Sequence, residues 1–298
     1  MYPAPFRYFR PGSLDQALTL LSELGESSRP LAGGQTLIPI LKLRMDEPTD
    51  LVDIGRLPGL GSINIEDGII HIGSLATHAR IGRHAVAGMI PVLADCANGI
   101  ADAQVRNRGT IGGSVSTADP SCDWPTLLHT LDADIVCQNA HGSRSVPIRE
   151  FIADAYTTAL GNAELVTGIR FKCPPENSGG SYIGFKKAAP AYPAAAAGIQ
   201  ITLAEGDVCS DVRLVLGAAG PRPVICGEAE SILRGNTITR ANLEKAAEAI
   251  IAESDPPSDI RGSSGFKRTM LHSLFMQAAD IAINRARGNR VQGVHEYV

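Results

Sequence analysis

The sequence predicts an α+β fold in two domains. Three patterns carry that prediction: an opening strand–helix–strand alternation, a later run of three strands followed by three helices, and between them a segment rich in Pro, Gly and polar residues. The length of 298 residues agrees, at about 150 residues per domain, and suffices to bury a core without disulfides or a structural metal.

The elements follow in order. Ser13 opens the first helix with Gln16 three residues on, as in a capping box; Leu14, Ala17, Leu18, Leu21 and Leu24 share one face and Gly25 supplies the stop. Arg29 to Ala32 reads as a strand, Thr36 to Leu43 as a short helix and Leu51 to Ile54 as a second strand. Ile63–Glu66 and Ile69–Ile72 flank Asp67-Gly68, a hairpin signature. Helices are expected over Thr77–Val86, Pro91–Ala101 and Trp124–Leu131, and a Gly-rich loop over Arg106–Ser114. Asp134–Gln138 and Arg144–Val146 read as paired strands, and Glu164–Phe171 as another. Cys173 to Gly180 is the linker candidate. Beyond it, Tyr182–Lys187, Ala195–Leu203 and Val208–Leu216 read as strands, then Gly227–Leu233, Arg240–Ala252 and about Ser264–Arg287 as helices.

Composition narrows the function. Hydrophobic residues at 44% and charged residues at 19% describe a folded, not a disordered, chain. With 27 Lys plus Arg against 31 Asp plus Glu, and no basic run, nucleic acid is not the expected partner. The stretch Ala188–Ala204 is interrupted by Pro190 and Pro193 and falls short of the ~20 apolar residues that span a bilayer. The start MYPAPFRYFRPGS lacks the apolar core of a secretory signal, so a cytoplasmic location is expected. Cys96, Cys122, Cys137, Cys173, Cys209 and Cys226 are scattered, which excludes local CxxC zinc or redox motifs and the clustered thiolates of a ferredoxin-type centre; the His residues show no HxxxH or HExxH spacing. An organic cofactor, or none, is left.

Two Gly-rich segments could hold one. Leu31-Ala32-Gly33-Gly34-Gln35-Thr36-Leu37 lies between a strand and a helix start, and matches neither a GxGxxG nor a Walker loop. It reads either as a phosphate-facing loop or as a plain tight turn. Arg106-Asn107-Arg108-Gly109-Thr110-Ile111-Gly112-Gly113-Ser114 offers amides, hydroxyls and flanking positive charge, with Asp119 and Asp123 close behind; it reads as a pyrophosphate cradle or as a tight loop with a solvated charged face. Two such segments in one chain suit a dinucleotide.

The strings AGGQTLIPILKLR, VRNRGTIGGSVSTADPSCDWP and YIGFKKAAPAYPAAA resemble the FAD-binding medium subunit of the molybdenum hydroxylases, the family of carbon monoxide dehydrogenase, xanthine dehydrogenase and N-heterocycle dehydrogenases. The resemblance runs from about Phe6 to Arg287. It implies an FAD-binding domain of the PCMH (vanillyl-alcohol-oxidase) type over 1–176, with lobes of about 1–58 and 59–176. After it would come a small α/β sandwich flavoprotein domain over 177–288, a three-stranded antiparallel sheet with helices, and a tail, 289–298. It implies FAD contacts at Leu31, Ala32, Gly33, Gly34, Gln35, Thr36, Leu37 and Ile38 in one loop and Thr110, Ile111, Gly112, Gly113 and Ser114 in the other. Further contacts would come from Ile100 and Val166, from Asp123 to the ribose, from Lys186 near the flavin ring and from Tyr192 beside it. No catalytic acid, base or metal ligand is implied in this chain. The molybdenum-pterin cofactor would sit on a large subunit and two [2Fe-2S] clusters on a small one, assembled as a dimer of heterotrimers, with FAD handing electrons to an external acceptor. One departure stands out: Ala188-Ala189-Pro190-Ala191-Tyr192-Pro193 lacks a charged pair that many members carry before the Tyr. The competing reading is a self-contained FAD/NADPH reductase of the enolpyruvyl-sugar reductase type, which would need its own NADPH site and proton donor; a third is a binding module that has lost its nucleotide.

Overall fold

The computed structural model describes residues 2–188, 190–293 and 296–297. Its first lobe is a parallel sheet, ordered β1–β3–β2, from β1 (Arg7–Phe9), β2 (Ser28–Leu31) and β3 (Asp50–Asp53), with α1 (Leu14–Leu24) and α2 (Leu37–Leu43) as crossovers. Ser13 caps α1 by accepting from the Gln16 amide at 3.2 Å, and the Gln16 side chain accepts from the Gly12 amide. The buried stripe Ala17, Leu18 and Leu21 packs on Val52, Ile54 and Leu57. β1 has no counterpart in the sequence reading, because three residues are too few to show a period. Its register is set across the chain, where the Arg7 guanidinium meets the buried Asp50 carboxylate at 2.6 Å.

The second lobe runs through β4 (Ile63–Glu66), β5 (Ile69–Gly73), α3 (His78–Arg83), α4 (Ala85–Met89), α5 (Pro91–Gly99), α6 (Ala103–Arg108), α7 (Ile111–Thr117), α8 (Asp123–Thr130), β6 (Asp134–Asn139), β7 (Gly142–Pro147), α9 (Ile148–Phe151), β8 (Ile152–Asp154), β9 (Thr157–Thr158) and β10 (Leu165–Lys172). An antiparallel sheet ordered β4–β5–β10–β6–β7 results. Two expectations are corrected here. The helix foreseen over Thr77–Val86 breaks at His84, whose ring nitrogen caps α4 by accepting from the Val86 amide. The loop foreseen over Arg106–Ser114 is largely helical: α6 ends at Arg108 and α7 starts at Ile111, capped by Thr110.

The C-terminal domain contains β11 (Ser178–Lys186), β12 (Ala195–Ala204), β13 (Val208–Gly217), β14 (Val224–Ile225), α10 (Gly227–Leu233), α11 (Arg240–Ala252), α12 (Ser264–Ala286) and β15 (Glu296–Tyr297). The three long antiparallel strands are the expected ones, and two short strands extend the sheet to β14–β13–β12–β11–β15. Residues 296–297, in the stretch expected as a tail, pair in parallel with Phe185 and Lys186; residues 294, 295 and 298 of that stretch lie outside the described residues. β11 is buried nearly throughout because α12 covers one face and α5 the other; β12 lies between α12 and α8. Hence neither strand shows polar alternation.

The two domains share packing. Tyr182 and Ala196 join the core around Trp124 and Leu128. The buried Arg285 of α12 reaches Asp95 of α5 at 2.5 Å and donates to the Gly180 and Val291 carbonyls. The segment 173–177 connects β10 to β11, so the linker foreseen at Cys173–Gly180 is shorter at its C-terminal end.

Candidate functional site

A cavity of about 430 Å³ lies where both lobes and the C-terminal domain meet. Residues 32–37 and Ile54 wall it from the first lobe; Ser74, His78, Ile100, Thr110, Gly112, Gly113, Ser114, Cys122, Asp123, Leu165 and Val166 from the second; Pro190, Ala191 and Tyr192 from the C-terminal domain.

The two Gly-rich segments touch. A Cβ on Gly33 would stand 2.1 Å from the Arg108 carbonyl oxygen, so only glycine allows this approach. Their backbones are used differently. In α7 the amides are engaged within the protein: Ile111 with the Ala76 carbonyl, Gly112 with the Ser74 carbonyl at 2.9 Å, Gly113 with the Thr110 hydroxyl and Ser114 with the Thr110 carbonyl. In the first segment, the amides of Gly33, Gly34, Gln35, Thr36 and Leu37 have no hydrogen-bond partner among the described residues. Five consecutive donors at a cavity wall are costly unless a ligand or water answers them.

Beneath the cavity floor sits a buried charge pair. Lys186 Nζ lies 3.0 Å from Asp123 Oδ1 and donates to the Gly99 carbonyl at 2.7 Å, while the Tyr182 hydroxyl donates to the same carboxylate at 2.9 Å. Lys186 is fully buried. Beside the pair, the Trp124 indole N–H donates to His78 Nδ1 at 2.9 Å, both residues buried. Tyr192 brings its phenol near the Thr36 and Cys122 side chains, and burial pushes its pKa up. Burial likewise holds the Cys122 thiol protonated, its pKa up at about 12.

Of the residues foreseen as contacts, Ala32, Gly33, Gly34, Gln35, Thr36, Leu37, Ile100, Thr110, Gly112, Gly113, Ser114, Asp123, Val166 and Tyr192 are brought to this one cavity. Leu31, Ile38, Ile111 and Lys186 are not among its lining. Ile111 is in the core. Ile38 is partly exposed on α2. Lys186 is fully buried and pairs with Asp123, which lines the cavity while Lys186 does not. The sequence reading missed Ser74, His78 and Cys122. No motif marks the first two, and only the turn after β5 brings them to the wall.

The family model for the FAD binding domain in molybdopterin dehydrogenase matches residues 4–172, more than half of the chain. This protein belongs to that family. The model for the CO dehydrogenase flavoprotein C-terminal domain matches residues 181–282. The carbon monoxide dehydrogenase medium chain of Afipia carboxidovorans is 36% identical over 96% of this chain and 100% of its own. The 6-hydroxypseudooxynicotine dehydrogenase complex subunit alpha of Paenarthrobacter nicotinovorans is 33% identical over 96% and 97%. Among solved structures, a carbon monoxide dehydrogenase from Hydrogenophaga pseudoflava superposes with a TM-score of 0.93 at 33% identity, covering 96% of this chain and 99% of that one. The chain is thus a flavoprotein of the molybdenum hydroxylases and an oxidoreductase subunit, and FAD is its cofactor. The enolpyruvyl-sugar reductase reading is not favoured by relatives that are dehydrogenase subunits.

The partnerless amides are of the chemistry that phosphate oxygens need, and Ile54, Ile100, Leu165 and Val166 line the cavity with apolar surface of the kind that suits aromatic rings. Among the described residues no cluster of His, Cys, Asp and Glu could hold a metal ion, and no helix is long and apolar enough to cross a membrane.

Burial also makes the subunit sensitive to acid. It lowers His78 to about 4, with Asp123 opposing and Arg106 assisting, and it lowers His129 to about 4 despite the hydrogen bond to the Pro125 carbonyl. The unfolded chain binds these protons near 6.5, so their contribution to stability is complete above that value and declines as pH falls toward 4. Such a shift corresponds to roughly 3 kcal/mol per imidazole. Urea midpoints measured from pH 7.5 to 4.5 should fall, and His129→Gln should flatten the slope; an unchanged slope contradicts the assignment.

Proposed function

We propose that this chain is the electron-transfer flavoprotein subunit of a heterotrimeric molybdenum hydroxylase, working in the cytoplasm. A small subunit would carry two [2Fe-2S] clusters, and a large subunit the molybdenum-pterin cofactor, in a dimer of heterotrimers. Bound FAD would exchange electrons with those clusters on one side and with an external acceptor on the other. The chain's own residues bind and orient. Amides 33–37 hold phosphate oxygens, and the Gly33–Arg108 contact keeps the two segments in register. Asp123, held by Lys186 and Tyr182, presents an acceptor to a ribose or ribityl hydroxyl. Tyr192 closes the cavity from the C-terminal domain and limits water entry. Domain limits at 1–176 and 177–288 are part of the same reading.

The observation that carries it is the cavity itself, lined by residues 33–37, whose amides have no partner among the described residues, and by apolar side chains from both domains. The test is purification of the tagged chain from its native host. FAD, iron and molybdenum should co-elute with two further polypeptides. A chain that elutes alone, or with flavin but no metal, overturns the proposal.

A further inference from the structure

Two donors on the cavity wall, Ser74 Oγ and His78 Nε2, have no acceptor among the described residues. Ser74 Oγ is buried, lines the cavity and has no hydrogen-bond partner. His78 also lines the cavity and is 5% exposed. Its Nδ1 accepts from the Trp124 indole N–H, a group that can only donate. Burial keeps the ring neutral at pH 7, with its pKa lowered to about 4. The single ring proton is therefore on Nε2, for which the described residues provide no acceptor. A buried hydroxyl without a partner costs stability, and Ser74, just after β5, stands close to His78 at the start of α3.

Their surroundings say what they face. Ser74 packs on Gly112, where a Cβ would stand 2.5 Å from Ser74 Cβ; His78 packs on Gly109, where a Cβ would stand 2.7 Å from Nε2. The Gly109 Cα also abuts Gly33, the first of the five free amides. Both donors thus belong to the patch where the two Gly-rich segments meet. Arg106, which could have supplied charge there, is turned away to the Ile100 and Ala101 carbonyls.

We propose that Ser74 and His78 form a donor pair for the pyrophosphate oxygens of FAD, with Trp124 as the positioning residue that fixes the His78 tautomer. The inference rests on the site reading above and adds a second wall of donors to amides 33–37. α7 does not supply that wall, since its first amides are already bonded. The pair also explains why the imidazole is kept neutral: Nδ1 is committed to Trp124, so Nε2 always presents a proton to the ligand.

The test uses the full chain stripped of flavin, titrated with FAD, ADP and riboflavin, alongside thermal melts of the apo-protein. Ser74→Ala removes a hydroxyl the apo-protein does not use, so its melting temperature should stay level or rise. The Kd for FAD should rise about tenfold, the loss of one hydrogen bond to a charged acceptor. ADP should weaken by the same factor and riboflavin by none, because only ADP shares the pyrophosphate. His78→Leu should weaken FAD and ADP in the same way, and His78→Gln, which keeps a donor near the Nε2 position, should recover most of the loss. Unchanged FAD affinity in Ser74→Ala overturns the inference, as does a loss confined to riboflavin. A wild-type chain that binds riboflavin or ADP but not FAD overturns the site reading itself, and the inference with it.

Discussion

Gly33→Ala is expected to abolish flavin uptake and to lower the melting temperature by roughly 10 °C. The added methyl would stand 2.1 Å from the Arg108 oxygen and 2.8 Å from its carbonyl carbon, and both are backbone atoms that cannot rotate aside. The two segments must part. Overpacking of this kind costs about 1–3 kcal/mol and more where backbone must move, and each kcal/mol shifts the melting point by about 2–4 °C in a chain of this size. The amides 33–37 would also leave the patch they share with Gly109 and Ser74, so the binding loss should exceed the stability loss. Flavin absorbance of the purified variant reads the first effect and a thermal melt the second. Gly88→Ala is the control, since Gly88 is an exposed position of α4 and nothing lies within 4 Å of its Cβ position; it should be neutral or stabilising by up to about 1 kcal/mol. Equal flavin content in Gly33→Ala and wild type would refute the contact's role.

Asp123→Ala carries the second large effect. It leaves the Lys186 ammonium fully buried with, among the described residues, only the Gly99 carbonyl as a hydrogen-bond partner, and it removes the acceptor of the Tyr182 hydroxyl. Breaking such a pair costs about 3–5 kcal/mol, because an uncompensated charge is stranded in a medium that solvates it poorly. The double variant Asp123→Leu/Lys186→Met should regain much of that stability while still failing to anchor a ligand hydroxyl. Urea unfolding followed by fluorescence suits the comparison, since Trp124 is the single Trp and sits in the same core. Additive losses in the double variant would mean that the two side chains do not act as a pair.

Much of the scaffold was legible because its signals are local. Ser13 and Gln16 cap α1 as their spacing predicts, Asp67-Gly68 turns the β4–β5 hairpin, and the three strands and three helices after residue 177 fall where their periods place them. What failed was equally physical. Arg106–Ser114 looks like a loop because glycine is a poor helix former, yet Thr110 caps a helix there and Gly112 is needed for contact with Ser74. The edge strands β1, β14 and β15 are two or three residues long and exist only because a longer neighbour offers its edge.

The candidate site divides along the same line. Residues 32–37 and the stretch 110–114 were visible as clusters of glycine and hydroxyl residues, a compositional mark that survives without knowledge of the fold. The sequence by itself thus determined most of the long elements and the family. Only the tertiary structure decided which donors stay free. It spent the α7 amides on Ser74 and Ala76, left 33–37 unanswered, and turned Lys186 into the buried partner of a carboxylate 63 positions away, Asp123. Hydrogen-bond satisfaction and desolvation depend on what packs around an atom, and that neighbourhood is assembled from segments whose meeting no local pattern encodes.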